Sequence, residues 1–251
     1  MYKIPANTLF LGKNLVYVPQ CHSTNSLATE LSQKAETPEG TLIITNHQMA
    51  GRGQRGSSWE AAPGENLTFS LILKPNFLQA QNQFQLNQAF SLGVLDYVKT
   101  KLTADIKVKW PNDVMINERK VCGILFENQI SGNELRHSIV GIGLNVNQQS
   151  FQYPAAGSLS FFSQQKYSLP VELAELLYQL ESRYLMLKEG KYEKLKTEYL
   201  QNLYRIGETH RFSNQEVEFD GIISGIDEMG RLRIEVEGNE RVFGVKQLTF
   251  L

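Results

Sequence analysis

The stretch from residue 106 to 147 constrains the fold most. Short apolar runs there are cut three times by turn-forming sequences: Pro111-Asn112-Asp113, Asn117-Glu118-Arg119 and Ser131-Gly132-Asn133. Turns this short send the chain back beside itself, so successive runs pair antiparallel. Consecutive hairpins make a sheet, and a sheet with an apolar face needs helices to cover it.

The flanking sequence supplies strands and helices. Residues 15–19 read as a strand. Ser23 or Thr24 caps a helix running to about residue 34, with Leu27 and Leu31 on one face. Residues 41–47 form a β-branched strand. Residues 66–74 alternate Leu67, Phe69, Leu71 and Leu73 with Thr68 and Ser70, which predicts a half-buried strand. Phe84, Leu86, Phe90, Val94 and Val98 have helical spacing over 83–101. Residues 170–204 read as two helices, or one broken at Gly190. From Gly207 onward only strand-like pieces occur, with turns at 227–230 and 237–240, the pattern of a small SH3-like barrel. The expected architecture is α+β: a mixed, largely antiparallel sheet flanked by helices over 1–205, and a C-terminal SH3-like β domain over 206–251.

Charge and cysteine usage narrow the function. The 251 residues carry 25 Lys and Arg against 26 Asp and Glu, a net charge of -1, so broad nucleic-acid binding is not expected. Two cysteines, Cys21 and Cys122, make no disulfide framework, and Cys122 in VCGILF reads as a small buried apolar residue. No secretory leader and no apolar run long enough for a membrane span is read from the sequence, so a cytoplasmic protein is expected.

Two segments carry chemistry. Residues 48–59 read QMAGRGQRGSSW, a loop with Gly51, Gly53 and Gly56, with Arg52 and Arg55, and with Trp59 at its end. The glycines spell G-x-G-x-x-G, but a strand follows instead of a helix, and the acid expected about 20 residues on is missing, so a dinucleotide-binding fold is excluded. Ser57 stands where a P-loop needs lysine. What remains is a flexible loop whose amides and guanidiniums close over an anion, or a solvated surface loop. Trp59 either stacks on a purine or packs beneath the loop.

The second segment is KWPNDVMINERKVCGIL. Pro111 keeps Trp110 extended and Asn112-Asp113 makes the turn, with Lys109 before it and Lys120 opening the next strand. Gly123 lets a ligand approach the backbone. Asp113 orients a lysine, holds a metal or makes an Asx turn. Downstream, Asn145 and Asn147 in an apolar strand need partners, protein or ligand. The four histidines have no metal-ligand spacing, and no nucleophile elbow or carboxylate pair stands out. Cations and amides without a protein nucleophile suit phosphoryl or nucleotidyl transfer, in which the substrate supplies the nucleophile.

In order, CHSTN (21–25), QMAGRGQRGSSW (48–59), KWPND (109–113), RKVCGIL (119–125) and GIGLN (141–145) resemble the motifs of the biotin protein ligases, and the resemblance spans nearly the whole chain. It implies the class II synthetase-like biotin/lipoate ligase fold. It also implies an ATP-dependent ligase with an adenylate intermediate: biotin and ATP form biotinyl-5′-AMP, and a lysine of a biotin carboxyl carrier protein takes the biotinyl group. ATP and Mg²⁺ are the implied cofactors.

By motif position, Ser23, Thr24, Asn25, Gln48, Gly51, Arg52, Gly53, Gln54, Lys120 and Gly123 would contact biotin. Arg52, Arg55, Trp59, Lys109, Asn112, Lys120 and Asn145 would contact ATP. Lys120 and Arg52 would be catalytic, and Asp113 the metal ligand. Many members carry a second arginine where this chain has Gln54, which puts the hold on the adenylate in question, with Arg55 beside it. The short stretch before residue 15 leaves no room for the family's winged helix, so the short, non-repressor form is expected, with no DNA or membrane partner, as a monomer or homodimer. The alternatives are a lipoate or octanoate ligase, which would need a long apolar channel, and a biotin or adenylate sensor without catalysis.

Overall fold

The computed structural model describes residues 7–214, 217–245 and 247–251, and the Arg55 side chain lies outside the described set. The first sheet contains β1 (Leu15–Cys21), β2 (Thr41–Gln48), β3 (Leu67–Leu73), β4 (Ile106–Lys109), β5 (Asp113–Ile116), β6 (Arg119–Ser131) and β7 (Glu134–Leu144). Their order is β1-β2-β3-β7-β6-β5-β4. The pair β1–β2 is parallel and is joined through α1 (Thr24–Ser32), because a parallel return needs a crossover. The other neighbours are antiparallel, so the sheet is mixed and largely antiparallel, as expected.

Strand β3 departs from the expected half-burial, for every residue in it is buried. Its alternation is real: Leu67, Phe69, Leu71 and Leu73 enter the main core. The opposite side is covered by α1 rather than by water. There Ile72 joins Ala28, Ile43 and Ile139 in a second, smaller core, and Ser70 is fully buried. A central strand with helices on both faces is buried throughout, whatever its polar residues.

On the main-core side lie α2 (Phe84–Lys101), α4 (Leu169–Lys188) and α5 (Tyr192–Gln201), with a short α3 (Leu159–Ser163) that the sequence did not signal. Helices α2 and α4 cross closely at Gly93, where a Cβ would come within 3.0 Å of the Leu180 backbone. The break between α4 and α5 falls at Gly190, whose φ of 76 ends α4 in the left-handed conformation. Helix α1 stops at Ser32, two residues earlier than expected.

The tail forms β8 (Thr209–Ser213), β9 (Glu218–Ile226), β10 (Leu232–Val236), β11 (Asn239–Phe243) and β12 (Thr249–Phe250), in the antiparallel order β11-β10-β9-β8-β12. This arrangement is compatible with the expected SH3-like barrel. Its Phe212, Ile223, Leu232 and Ile234 continue the main core of the first sheet. The two sheets also meet through Trp110, whose buried indole Nε1 donates to Gly230 O at 2.8 Å. Among the described residues no helix is long and apolar enough to cross a membrane.

Candidate active site

At the N-terminus of α1 the small core gives way to a hollow, and glycines make it. In register across four strands stand Thr68, Gly143, Gly123 and Asp113. The next row holds Ser70, Gly141 and Leu125. Directly paired residues point to one face of a sheet, so three glycines leave this face bare where side chains would fill it. Trp59 lies across the gap. A Cβ on Gly143 would meet its Cε2 at 2.3 Å, and one on Gly123 would meet its Cζ3 at 2.9 Å. The cavity that results is about 260 Å³.

One end of this cavity is polar. Ser23 is the N-cap residue of α1, but its side chain makes no capping bond and lines the cavity instead. Gln48 Oε1 accepts from the Thr24 backbone N at 2.8 Å and from Thr24 Oγ1 at 3.2 Å. Asn25 accepts from Ser70 Oγ at 2.6 Å and donates to Glu127 Oε2 at 2.7 Å. Ser23, Thr24 and Asn25 are all buried.

The glycine loop is folded back on itself. Gly53 N donates to Ser57 O at 2.6 Å, Trp59 N donates to Gly51 O at 2.9 Å, and Arg52 bridges antiparallel to Ser58 around a 3₁₀ turn over Gln54–Gly56. Gly51 sits behind the cavity wall, where a Cβ would meet the Trp59 carbonyl at 2.3 Å. Arg52, Gly53 and Gln54 line the cavity. Arg52 Nη2 lies 3.0 Å from Glu127 Oε2. Glu127 therefore joins the loop arginine to Asn25 of α1.

Lys120 reaches this face through an irregularity in the ladder. Asp113 pairs with Gly123 and Val114 with Cys122, but Met115 pairs with Lys120. The extra residue is Val121, and both it and Cys122 point into the main core. Such a bulge shifts every residue before it to the other face. Lys120 thereby joins the face of Asp113, with Nζ 2.8 Å from Asp113 Oδ1 and 5.5 Å from the Trp59 ring centre.

A second cavity of about 850 Å³ adjoins the first and shares Trp59, Asp113 and Lys120 with it. Lys109, Glu118, Asn145, Tyr153, Arg205 and Phe250 also line it. Asn145 donates through Nδ2 to Gly157 O at 3.0 Å, while among the described residues its buried Oδ1 has no partner, and neither has the buried Trp59 Nε1. Two unpaired buried polar atoms beside one cavity fit a ligand that supplies both partners. Lys109 Nζ rests 4.8 Å from the centre of the Phe250 ring. Burial pushes its pKa down and Asp113 pulls it back up, with burial prevailing.

The structure thus gathers Ser23, Thr24, Asn25, Gln48, Arg52, Gly53, Gln54, Asn112 and Gly123 at the smaller cavity, and Lys109 and Asn145 at the larger. Asn112 also has a structural task, since its buried amide donates to Ile124 O. Asn147 is structural as well: it exchanges two hydrogen bonds with the Tyr167 backbone. The turn expected at Asn112-Asp113 spans 110–112, and Asp113 opens β5. Cys122 is fully buried and free, and burial pushes its thiol far above the usual range. Glu127, Thr68, Gly143 and Arg205 were not singled out in the sequence, since each acquires its place from residues distant in the chain.

A magnesium ion fits this donor set only as the companion of a phosphate ligand. Among the described residues no group of three His, Cys, Asp or Glu side chains could cage a metal, and magnesium characteristically takes one or two carboxylates plus substrate oxygens. Asp113 is the acid in that position.

The biotin/lipoate A/B protein ligase family matches residues 17–145. The "Bifunctional ligase/repressor BirA" of Bacillus spizizenii is 33% identical over 242 residues, covering 94% of this chain and 74% of that protein. The "Biotin--[acetyl-CoA-carboxylase] ligase" of Mycobacterium tuberculosis is 29% identical, covering 95% of this chain and 90% of its own. Among solved structures, the biotin protein ligase from Aquifex aeolicus in complex with biotin and ATP superposes with a TM-score of 0.78 at 26% identity, covering 95% and 99%.

Proposed function

The chain belongs to the biotin protein ligases of the biotin/lipoate A/B protein ligase family, and from that premise we propose that it activates biotin with ATP and passes it to a lysine of a biotin carboxyl carrier protein. The observation that carries the reading is the pair of adjoining cavities that share Trp59, Asp113 and Lys120. The smaller suits a compact bicyclic head with a polar rim and the larger a nucleotide, and their shared wall is where the two would react.

In the first step a carboxylate oxygen of biotin attacks the α-phosphorus of ATP. The bond from that phosphorus to the bridging oxygen breaks, and pyrophosphate leaves with the electron pair. In the second, the neutral amine of the carrier lysine attacks the acyl carbon. AMP departs, and the amine proton goes to solvent. No protein nucleophile is needed, so the chain contributes position and charge.

Ser23, Thr24, Asn25 and Gln48 hold the ring head. Arg52 and Lys120 hold the carboxylate and α-phosphate, where negative charge accumulates. Gly51, Gly53 and Gly123 let the backbone approach, and Gln54 and Arg55 close the loop. Trp59 covers the purine and Asn145 Oδ1 accepts from it. Lys109 and Asn112 shape the phosphate region, and Asp113 would hold a magnesium ion, which would screen phosphate charge. Residues 1–205 act as the catalytic unit and 206–251 as an appended β unit.

A lipoate ligase would need a long apolar channel, whereas the smaller cavity ends in buried Ser23, Thr24 and Asn25. Isotope exchange between pyrophosphate and ATP tests the reading. Exchange that depends on biotin and not on lipoate supports it. Lipoate-dependent exchange makes the chain a lipoate ligase, and no exchange with either acid makes it a sensor.

A further inference from the structure

The segment that leads from α5 into the tail enters the larger cavity at Arg205, with an unusual backbone. Its φ is 62, in the left-handed region that few non-glycine residues occupy and that clusters at functional positions. The side chain is fixed from several directions. Nη1 donates to Leu251 O at 2.9 Å, and the guanidinium lies 4.9 Å from the Tyr204 ring centre. Nη2 stands 3.7 Å from Glu118 Oε2, and the Tyr204 hydroxyl donates to that same carboxylate.

Pairing with Glu118 does not account for this arrangement. The Glu118 side chain is 73% exposed, and so loose a pair contributes little. The Arg205 side chain is only 19% exposed, held on the cavity wall by groups from the 117–119 turn, the α5 exit and the last strand. Lys109 and Lys120 line the same cavity, facing Glu60, Asp113 and Glu118; Asp113 is already paired with Lys120, and Glu60 accepts from Gln148 Nε2 and the Gln152 backbone N. Among the described residues Lys109 makes no ion pair, and its ammonium rests on the Phe250 ring instead, so a polyanion entering the cavity meets two cations, Lys109 and Arg205, on one wall. Burial lowers the Lys109 pKa, Asp113 opposes it and the neighbouring Arg205 adds to the lowering, so an anion held here favours the charged ammonium.

We propose that Arg205, together with Lys109, binds the β- and γ-phosphates of the nucleotide and holds the pyrophosphate as the bond to the α-phosphorus breaks. This rests on the adenylation reading above. It makes the junction with the C-terminal strands part of the nucleotide site. A guanidinium suits the task because its planar fork meets two phosphate oxygens at once.

Calorimetric titration of inorganic pyrophosphate, AMP and biotin, each alone, into the wild type, Arg205→Asn and Arg205→Lys tests the proposal. Asparagine tolerates the left-handed backbone, so the first variant removes the cation and keeps the turn. Pyrophosphate affinity is expected to fall about tenfold or more in Arg205→Asn and to be largely kept in Arg205→Lys, with AMP and biotin binding unchanged in both. Unchanged pyrophosphate binding in Arg205→Asn overturns the proposal. So does a joint loss of all three ligands, which would mark Arg205 as scaffold, and so does a wild type that binds biotin but not pyrophosphate. A wild type that ignores biotin would instead remove the functional reading on which the proposal stands.

Discussion

Lys120 Nζ and Asp113 Oδ1 lie 2.8 Å apart because β6 holds one residue more than β5 can pair. In a regular ladder Lys120 would point into the main core. The bulge at Val121 sends Val121 and Cys122 there instead and turns the lysine towards Trp59. The ion pair then keeps the ammonium at the boundary of the two cavities, where a carboxylate and an α-phosphate would meet.

Lys120→Ala is expected to slow biotin-dependent pyrophosphate exchange by about 10²–10³, the cost of losing one cation aimed at developing charge, roughly 3–4 kcal/mol. The fold should persist, because Asp113 is 27% exposed and water replaces its partner. Lys120→Arg should not restore the rate, since a planar fork does not occupy the place of a point charge. Wild-type exchange in Lys120→Ala removes the lysine from the mechanism.

Gly143→Ala places a methyl 2.3 Å from Trp59 Cε2 and 2.5 Å from its Nε1, so the indole must leave its seat. If Trp59 is the purine platform, ATP binding weakens by about 1–3 kcal/mol. Titration of ATP monitored by tryptophan fluorescence reads this directly, because Trp110 is buried against Gly230 and serves as a constant background. Undiminished ATP affinity would mean that the indole only packs beneath the loop.

ATP affinity should fall as pH rises towards the ordinary lysine value of 10.5. The sign follows from Lys109: burial lowers its pKa, so its proton is lost earlier than in water, and the neutral amine cannot bind a phosphate. Below its folded pKa the ammonium is present and binding is strongest. Lys109→Met should bind ATP more weakly near neutral pH and with a flatter alkaline profile. Parallel profiles in the two proteins would exclude Lys109 as the titrating group.

Much of this was legible from local pattern. The strand runs of 106–147, the helix at 83–101 and the break at Gly190 follow from spacing and turn chemistry, which act over a few residues. Of the residues given a role by motif position, those with described side chains other than Gly51 line the two cavities for the same reason, since each sits in a short loop or at a strand end. What was not legible depends on distance. Glu127 looks like one more polar residue in a strand until Arg52 and Asn25, 75 and 102 positions away, close on it. The burial of Thr68 and Ser70 requires knowing that α1 covers that face. The bulge at Val121 is invisible to period counting, which assumes the regular ladder it breaks. Arg205 becomes notable only once the last strand folds back onto it.

The central claim is that this chain attaches biotin to a carrier lysine at the expense of ATP. The most direct measurement is the intact mass of a biotin carboxyl carrier domain after incubation with the protein, biotin and magnesium ATP. The account predicts a single biotinyl addition that disappears when ATP or biotin is omitted and when the carrier lysine is replaced by arginine. A carrier whose mass stays unchanged with every component present would contradict it.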